Sequence, residues 1–203
     1  MKFHLYAEAL FRSQVSISLI RVLLKFKGRI FTVRSLAKAS KVSPAEAALV
    51  AKRLQELGVI RLEPVGKSYQ VLLNERNYVL NRIMKQIFIA EEKTFGELLS
   101  VLKKNLDDPK VISACVFGSV SKSEEKEDSD VDLLVISEDF EEASALIGRA
   151  YEDVFSIFGN RLSSIIMSEK EFKSRARNKN RLAMSILESH ITFKGKDIGE
   201  LIS

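Results

Sequence analysis

One apolar run constrains the fold of this 203-residue chain more than any other segment. Residues 111–117 are apolar except for one serine, have the length of a buried strand, and are followed by Gly118 and Ser119. A glycine at a strand end has no side chain that would keep a phosphate group away from the backbone, and the serine adds a hydroxyl. The segment therefore predicts a central strand ending in a small-residue turn that suits phosphate.

A second strand, which carries carboxylates, follows after a ten-residue polar spacer. Residues 131–136 are apolar except for Asp132, and Asp130 precedes them. Because side chains alternate along a strand, Asp130 and Asp132 point to one face while Val131 points to the other. Two hard oxygen ligands beside a phosphate-binding turn suit Mg²⁺ or Mn²⁺ bridging a nucleoside triphosphate. We therefore expect a metal site at Asp130 and Asp132.

The rest of the C-terminal half alternates helices and strands. The spacing of apolar residues predicts helices over residues 141–158, 169–172 and 175–190, and strands over residues 162–167 and 191–193. This order indicates an α+β protein whose C-terminal part is an α/β domain with a mixed sheet.

The motif from Gly118 to Asp132 resembles the signature of the nucleotidyltransferase superfamily that includes DNA polymerase β, in particular its minimal members. That signature is Gly-Ser, a spacer of this length, and Asp-x-Asp preceded by serine, here Ser129. The resemblance implies that Gly118 and Ser119 hold the triphosphate while Asp130 and Asp132 bind the catalytic metal ions. It also implies transfer of a nucleoside monophosphate to an acceptor, with release of pyrophosphate. Family acceptors include proteins, small molecules and nucleic-acid ends, so a partner protein is one candidate acceptor.

One element of the family site is missing from the sequence. Family members generally carry a third carboxylate on the strand beside the Asp-x-Asp strand, where it completes the metal site. Here that strand corresponds to residues 161–167, which contain no Asp or Glu, and Ser163 or Ser164 takes the expected place. Two carboxylates can hold a nucleotide-bound metal, but this strand provides no second metal ligand and no base. The sequence therefore leaves turnover open.

The N-terminal half has the order helix, helix, turn, helix and hairpin. We predict helices over residues 13–27, 33–40 and 44–57, the last one capped by Ser43, and strands over residues 59–63 and 68–73. Element order and apolar spacing resemble winged helix-turn-helix domains over residues 13–73.

This resemblance suggests a three-part organisation. A winged helix-turn-helix domain would occupy residues 1–75, a helical connector residues 76–106, and the nucleotidyltransferase-like domain residues 107–203. Residues 94–96 contain a threonine and a glycine that can break the connector helix in two.

Charge points to a polyanion partner for the first half. Residues 1–106 contain 19 basic and 8 acidic residues, a net charge of +11, whereas residues 107–203 carry −6. Lys52 and Arg53 on the third helix and Lys67 at the hairpin tip are the predicted DNA-phosphate contacts. Few side chains on this helix could read base edges, and dimerisation or substrate docking is the alternative use of such a domain.

Two functions are consistent with the sequence. The first is a metal-dependent nucleotidyltransferase with a DNA-binding type of N-terminal domain. The second is a winged-helix DNA-binding transcriptional regulator whose nucleotidyltransferase-like domain binds nucleotide or a partner without turnover. No apolar run is long enough to span a bilayer and no signal-peptide pattern follows Met1, so we expect a cytoplasmic protein without a membrane partner.

Overall fold

A computed structural model of the chain describes residues 6–66, 68–126 and 128–202. The chain divides into two compact units, Met1–Glu92 and Lys93–Ser203, and the division falls inside a long helix. None of the helices in the described ranges is long and apolar enough to cross a membrane.

The first unit combines short helices with a small antiparallel sheet. Its described elements are α1 (Tyr6–Phe11), α2 (Gln14–Lys25), β1 (Phe31–Thr32), α3 (Val33–Ala39), α4 (Pro44–Glu56), β2 (Ile60–Val65) and β3 (Ser68–Leu73). The strands pair in the order β1-β3-β2. Ser43 caps α4 as predicted, because its hydroxyl accepts the Glu46 backbone N–H at 3.2 Å. Leu19, Phe31 and Leu54 are buried in the core beneath the sheet.

A long helix links the two units in sequence. A π-helical turn, Leu80–Met84, leads into α5 (Lys85–Asn105). The predicted break at residues 94–96 is wrong, because α5 continues through them. One glycine, Gly96, lowers helix stability by about 1 kcal/mol but does not end a helix whose neighbouring residues favour it. Further along, Leu98 and Leu102 are buried in the core of the second unit.

The second unit is a sheet with helices on both faces. Its described elements are β4 (Val111–Phe117), α6 (Gly118–Ser121), β5 (Val131–Ser137), α7 (Phe140–Phe158), β6 (Leu162–Met167), α8 (Glu169–Arg177), α9 (Arg181–Glu188), β7 (His190–Gly195) and a 3₁₀ turn, Glu200–Ile202. The strand order is β6-β5-β4-β7. Since β5 and β6 run parallel and the other pairs are antiparallel, the sheet is mixed, as the sequence predicts.

Alternation along β5 divides the core into two layers. Leu133 and Val135 pack with the end of α5 and with α7 on one face. Leu134 and Ile136 pack on the other face with α8, α9 and the C-terminal 3₁₀ turn. Asp132 has the same parity as Leu134 and therefore lies on this second face, at the end of the strand where the apolar layer stops.

Candidate functional site

Strand register brings the two halves of the sequence motif together. Phe117, the last residue of β4, lies opposite Asp132 of β5. Gly118 follows directly and begins the single-turn helix α6, so the predicted Gly118-Ser119 turn is the start of a short helix. The carboxylate of Asp132 consequently lies next to the strand end at Gly118, although fourteen positions separate the two residues in sequence.

Gly118 and Asp132 fit against one another closely. Gly118 has a φ of +74°, a backbone conformation that residues with a side chain rarely adopt. A Cβ placed on Gly118 would overlap the Asp132 Oδ2 atom and lie 3.1 Å from Cγ. The space left by the missing side chain is therefore occupied by the Asp132 carboxylate. Contact of Gly118 with a phosphate remains a prediction. The Asp132 carboxylate alone already explains why position 118 requires a glycine.

The surroundings of Asp132 disfavour its negative charge. Burial raises the pKa of the Asp132 carboxyl, and the nearby Asp130 carboxylate raises it further. A hydrogen bond from Ser163 opposes these two effects without cancelling them. Two neighbouring carboxylates, one of them half-buried and neither in an ion pair with a described residue, form a site where a bound cation is electrostatically favourable.

Ser163, rather than Ser164, lies beside the carboxylate pair. In the parallel register of β5 and β6, Asp132 is opposite Ser163, whereas Leu133 is opposite Ser164. Ser163 therefore shares a face with Asp132, and Ser164 belongs to the other face. The sequence left open whether Ser163 or Ser164 lies beside the carboxylates, because it does not reveal the strand register. The register of β5 and β6 selects Ser163.

The described part of the chain provides two carboxylate ligands, Asp130 and Asp132, for a metal at this site. Among the residues that the structure describes, no group of three or more His, Cys, Asp or Glu side chains is arranged to hold a metal ion. Glu169 and Glu171 belong to α8, after the end of β6. Two carboxylates nevertheless fit Mg²⁺, which usually keeps several waters and is held by one or two carboxylates together with substrate phosphates.

The loop that carries Asp130 is fixed by hydrogen bonds to the start of β6. The Asn160 side chain donates to the Ser129 carbonyl at 3.1 Å, and the Val131 backbone N–H donates to the Arg161 carbonyl at 2.8 Å. Asp130 itself is exposed and lies in the wall of an open polar cavity of about 400 Å³. Asn160 was missed by the sequence analysis, because only the fold brings it to this loop.

A serine pair anchors α6 to β7. The Ser121 hydroxyl lies 2.9 Å from the Gly118 carbonyl and 3.1 Å from the Ser189 carbonyl, and it also contacts the Ser189 hydroxyl at 3.0 Å. The hydroxyl of Ser119, by contrast, has no hydrogen-bond partner among the described residues. Ser121 therefore holds the helix in place while Ser119 keeps its hydroxyl available to a ligand.

The predicted DNA contacts of the first unit are not equivalent. Lys52 and Arg53 are both exposed on α4. Lys52 lines a groove between α4 and the β2–β3 hairpin, and Arg53 is not among the described residues that line it. Lys67 lies outside the described residues.

Comparisons with known proteins give a family match and weak structural similarities. No curated protein matches the chain. Similar solved structures include a toxin–antitoxin with AMP-PNP (TM-score 0.37, 16% identity, covering 54% of this chain and 80% of that one). A possible transcriptional regulator from Methanosarcina mazei Go1 has a TM-score of 0.33 at 17% identity and covers 49% and 88% of the two chains. TrmBL2, described as an archaeal chromatin protein with a novel mode of DNA binding, has a TM-score of 0.29 at 16% identity and covers 88% and 74%.

These three similarities are too weak for a function to be transferred from them. The family comparison is more informative, because it falls on the residues that form the site. Residues 97–190, which contain Gly118, Asp130 and Asp132, match the family model described as "Nucleotidyltransferase domain" and support assignment of this segment to the nucleotidyltransferase superfamily.

Proposed function

We propose that this protein is a metal-dependent nucleotidyltransferase that transfers a nucleoside monophosphate from a nucleoside triphosphate to an acceptor. The observation that supports this most is the fit of the Asp132 carboxylate into the space left by Gly118. This fit holds a carboxylate at the strand end where backbone N–H groups and the free Ser119 hydroxyl would receive a triphosphate. The family match over the same residues agrees with it.

The residues of the site divide the work between them. Gly118 and Ser119 bind and orient the triphosphate, and Asp130 and Asp132 would hold Mg²⁺ or Mn²⁺. When bound, the metal would supply charge stabilisation at the α-phosphate that the acceptor attacks. Ser163 lies opposite Asp132 in the register of β5 and β6 and helps to position its carboxylate. Catalysis by such a site depends mainly on positioning and electrostatics.

We further propose that the first unit is a winged helix-turn-helix domain that binds DNA. The element order, the three-stranded sheet and the exposed Lys52 and Arg53 support this reading. The division into residues 1–75, 76–106 and 107–203, Lys67 as a third phosphate contact, a partner protein as acceptor, and a cytoplasmic location stay predictions.

One observation favours a second function. Ser163 lies opposite Asp132 on β6, the strand on which the resemblance implies a third carboxylate, and β6 carries no Asp or Glu. A transcriptional regulator whose second unit binds nucleotide without turnover would need only Asp130, Asp132 and the Gly118-Ser119 turn. The two functions therefore differ in turnover and agree in nucleotide binding.

An assay with α-labelled nucleoside triphosphates in Mg²⁺ or Mn²⁺ separates the two functions. We expect label on the protein itself or on components of an added extract, and none with the Asp132→Asn variant. Glu125→Gln is the matched control, since Glu125 is an exposed carboxylate in the same loop that is not among the described residues lining the cavity at Asp130, and its loss should leave transfer intact. Metal-dependent nucleotide binding without transfer to any acceptor would favour the regulator. Absence of both would contradict the two proposals together.

A further inference from the structure

An open groove lies beside α4 in the first unit. It has a volume of about 500 Å³ and is bounded by the start of α3, one face of α4 and the β2–β3 hairpin. Its polar lining consists of Arg34, Lys52, Gln55, Ser68 and Tyr69. A cavity of this size accommodates a ligand of nucleotide dimensions rather than a helix or a domain. We name this surface the α4 groove.

The α4 groove carries uncompensated positive charge. Arg34 and Lys52 are its cations, and none of the described residues that line it is acidic. Neither side chain has an ion-pair or hydrogen-bond partner among the described residues. Elsewhere among the described residues of this unit, Arg21 and Lys27 do form ion pairs, with Glu91 at 2.8 Å and with Glu75 at 3.0 Å. The groove therefore complements an anionic ligand, and its charge is not used to stabilise the fold.

The aromatic residue Tyr69 lines the α4 groove. Tyr69 of β3 shares a face of the hairpin with Val71, which is buried in the core. Two residues closer to the turn, where it pairs with Pro64, Tyr69 extends past the core and is 53% exposed. Its ring consequently lines the groove instead of packing in the interior.

Of the two phosphate contacts predicted on α4, Lys52 and Arg53, only Lys52 is among the described residues that line the groove. Ala48, Lys52 and Gln55 follow one another at spacings of four and three residues, share one face and line the groove. Arg53 is rotated by about 100° from Lys52 around the helix axis and does not share this face. Lys52 can therefore contact a ligand in the groove, whereas Arg53 cannot.

We propose that the α4 groove binds a single-stranded segment of nucleic acid, with one base stacked on Tyr69 and adjacent phosphates on Arg34 and Lys52. This inference rests on the proposal that the first unit binds nucleic acid, and it specifies the form of the ligand. In a duplex both faces of each base are covered by neighbouring bases, whereas an unpaired base has a free face for an aromatic ring. Gln55 and Ser68 offer hydrogen-bonding groups to the edge of that base.

Fluorescence anisotropy with the full chain tests the proposal. A labelled oligo(dT) strand should bind more tightly than a duplex of the same length. Tyr69→Ala should weaken strand binding roughly 5- to 100-fold, and Tyr69→Phe should preserve it, because stacking requires only the ring. Tyr78→Ala, which removes another exposed tyrosine of this unit, is the matched control and should have no effect.

Salt dependence tests the cations separately. Lys52→Ala should reduce the slope of log affinity against log salt by about 0.7, the value for one phosphate contact on a single strand. Arg76→Ala, which removes an exposed cation of the same unit that is not among the described residues lining the groove, should leave this slope unchanged. Because the chain contains no tryptophan, tyrosine emission can be followed directly, and oligo(dT) should quench it in the wild type but not in Tyr69→Phe.

The possible results separate this inference from the proposed function. Tighter binding of the duplex, or equal losses with Tyr69→Ala and Tyr78→Ala, would overturn the single-strand inference and leave DNA binding intact. No binding of either nucleic acid at low salt would overturn both proposals. A poly-glutamate peptide bound as tightly as oligo(dT) would overturn the inference and indicate an acidic protein segment as ligand. Circular dichroism of each variant excludes loss of folding as the cause.

Discussion

The two ends of strand β4 each lie beside a glycine with a left-handed backbone, but for different reasons. At one end Gly118 has a φ of +74°, and a Cβ there would meet the Asp132 side chain. At the other end Gly195 of β7 has a φ of +75° and lies opposite Ser113. A Cβ on Gly195 would overlap the Ile112 carbonyl oxygen and lie 2.9 Å from the Ser113 Cα, both backbone atoms.

The difference shows that an identical local conformation can serve the site or the fold. A side-chain carboxylate can rotate away from an added methyl group, so substitution of Gly118 should disturb the site more than the fold. Backbone atoms within a paired strand cannot move without breaking the pairing, so substitution of Gly195 should disturb the fold. The buried Ser113 hydroxyl reinforces the second end by donating to the Lys194 and Lys196 carbonyls, the latter at 2.6 Å.

Gly195→Ala should give the largest effect. The left-handed conformation and the overlap with backbone atoms together should lower the free energy of unfolding by about 2–5 kcal/mol. Urea unfolding followed by circular dichroism measures the loss. Gly148→Ala is the matched control, since a Cβ at this helical glycine meets nothing and should leave stability unchanged or raise it. Equal stability of Gly195→Ala and wild type would show that the backbone of β4 or β7 shifts to accommodate the added methyl group.

Gly118→Ala should separate binding from stability. We expect unfolding to become easier by only about 1–2 kcal/mol, the cost of a left-handed alanine. Binding of Mn²⁺ with a nucleoside triphosphate should be lost, because the methyl group displaces the Asp132 carboxylate. Isothermal titration calorimetry and urea unfolding measure the two quantities.

A double-mutant cycle identifies the atom responsible. In Gly118→Ala combined with Asp132→Ala, the overlapping carboxylate is absent, so the combined loss of stability should be smaller than the sum of the single losses. Strict additivity would mean that Asp132 is not the group that Gly118 accommodates.

The comparison of Gly118 with Gly195 also shows which features can be predicted from the sequence. Strand β4 was predicted with the bounds observed, because a nearly continuous apolar run of strand length identifies a buried strand. The bounds of β6 were also predicted correctly, although two exposed serines interrupt its apolar residues. The Gly-Ser and Asp-x-Asp pairs were recognisable because each is local in sequence. The contact between Gly118 and Asp132 was not predictable, since it depends on the antiparallel register of β4 and β5.

The other contacts that the sequence did not predict also depend on strand register or on residues far apart in the chain. The choice of Ser163 over Ser164 needed the parallel alignment of β5 with β6. The contact that anchors α6 joins Ser121 to Ser189, which is sixty-eight residues away in sequence and directly precedes β7. Predicting it would have required the position of β7 in the sheet. Helical spacing alone could have separated Lys52 from Arg53, but only the position of the hairpin indicated which of them faces the groove.

Ser163→Asp should strengthen the site at the Gly118 end. An added carboxylate beside Asp132 should tighten Mn²⁺ binding by about tenfold or more, since even at high dielectric a unit charge near contact contributes about 1 kcal/mol per charge of the ion. Ser164→Asp is the matched control, because it places the same charge on the opposite face. Electron paramagnetic resonance of Mn²⁺ measures the affinity. Equal tightening by both variants would point to a general charge effect rather than to completion of the site.

Asp197→Asn should have the smallest effect, at a carboxylate whose partners on β7 lie opposite Cys115 and Phe117. Asp197 follows Gly195 and returns to the start of β7, where it contacts the Thr192 hydroxyl at 3.1 Å and the His190 ring at 3.3 Å. Burial acts to raise the pKa of the Asp197 carboxyl, but hydrogen bonds from the Gly199 backbone and from these two side chains outweigh it, and the net pKa is lowered.

A lowered pKa in the folded state has a definite sign for stability. The contribution of the Asp197 carboxylate is present above its ordinary pKa of 3.8 and is lost as the pH falls through the lower folded value. Because half of the side chain is exposed, we expect less than about 1 kcal/mol. Urea unfolding between neutral and strongly acidic pH should show a shallower acid loss for Asp197→Asn than for wild type, with nucleotide affinity unchanged. A parallel loss of nucleotide affinity would mean that Asp197 supports the site through His190, which lies opposite Phe117, and not the fold alone.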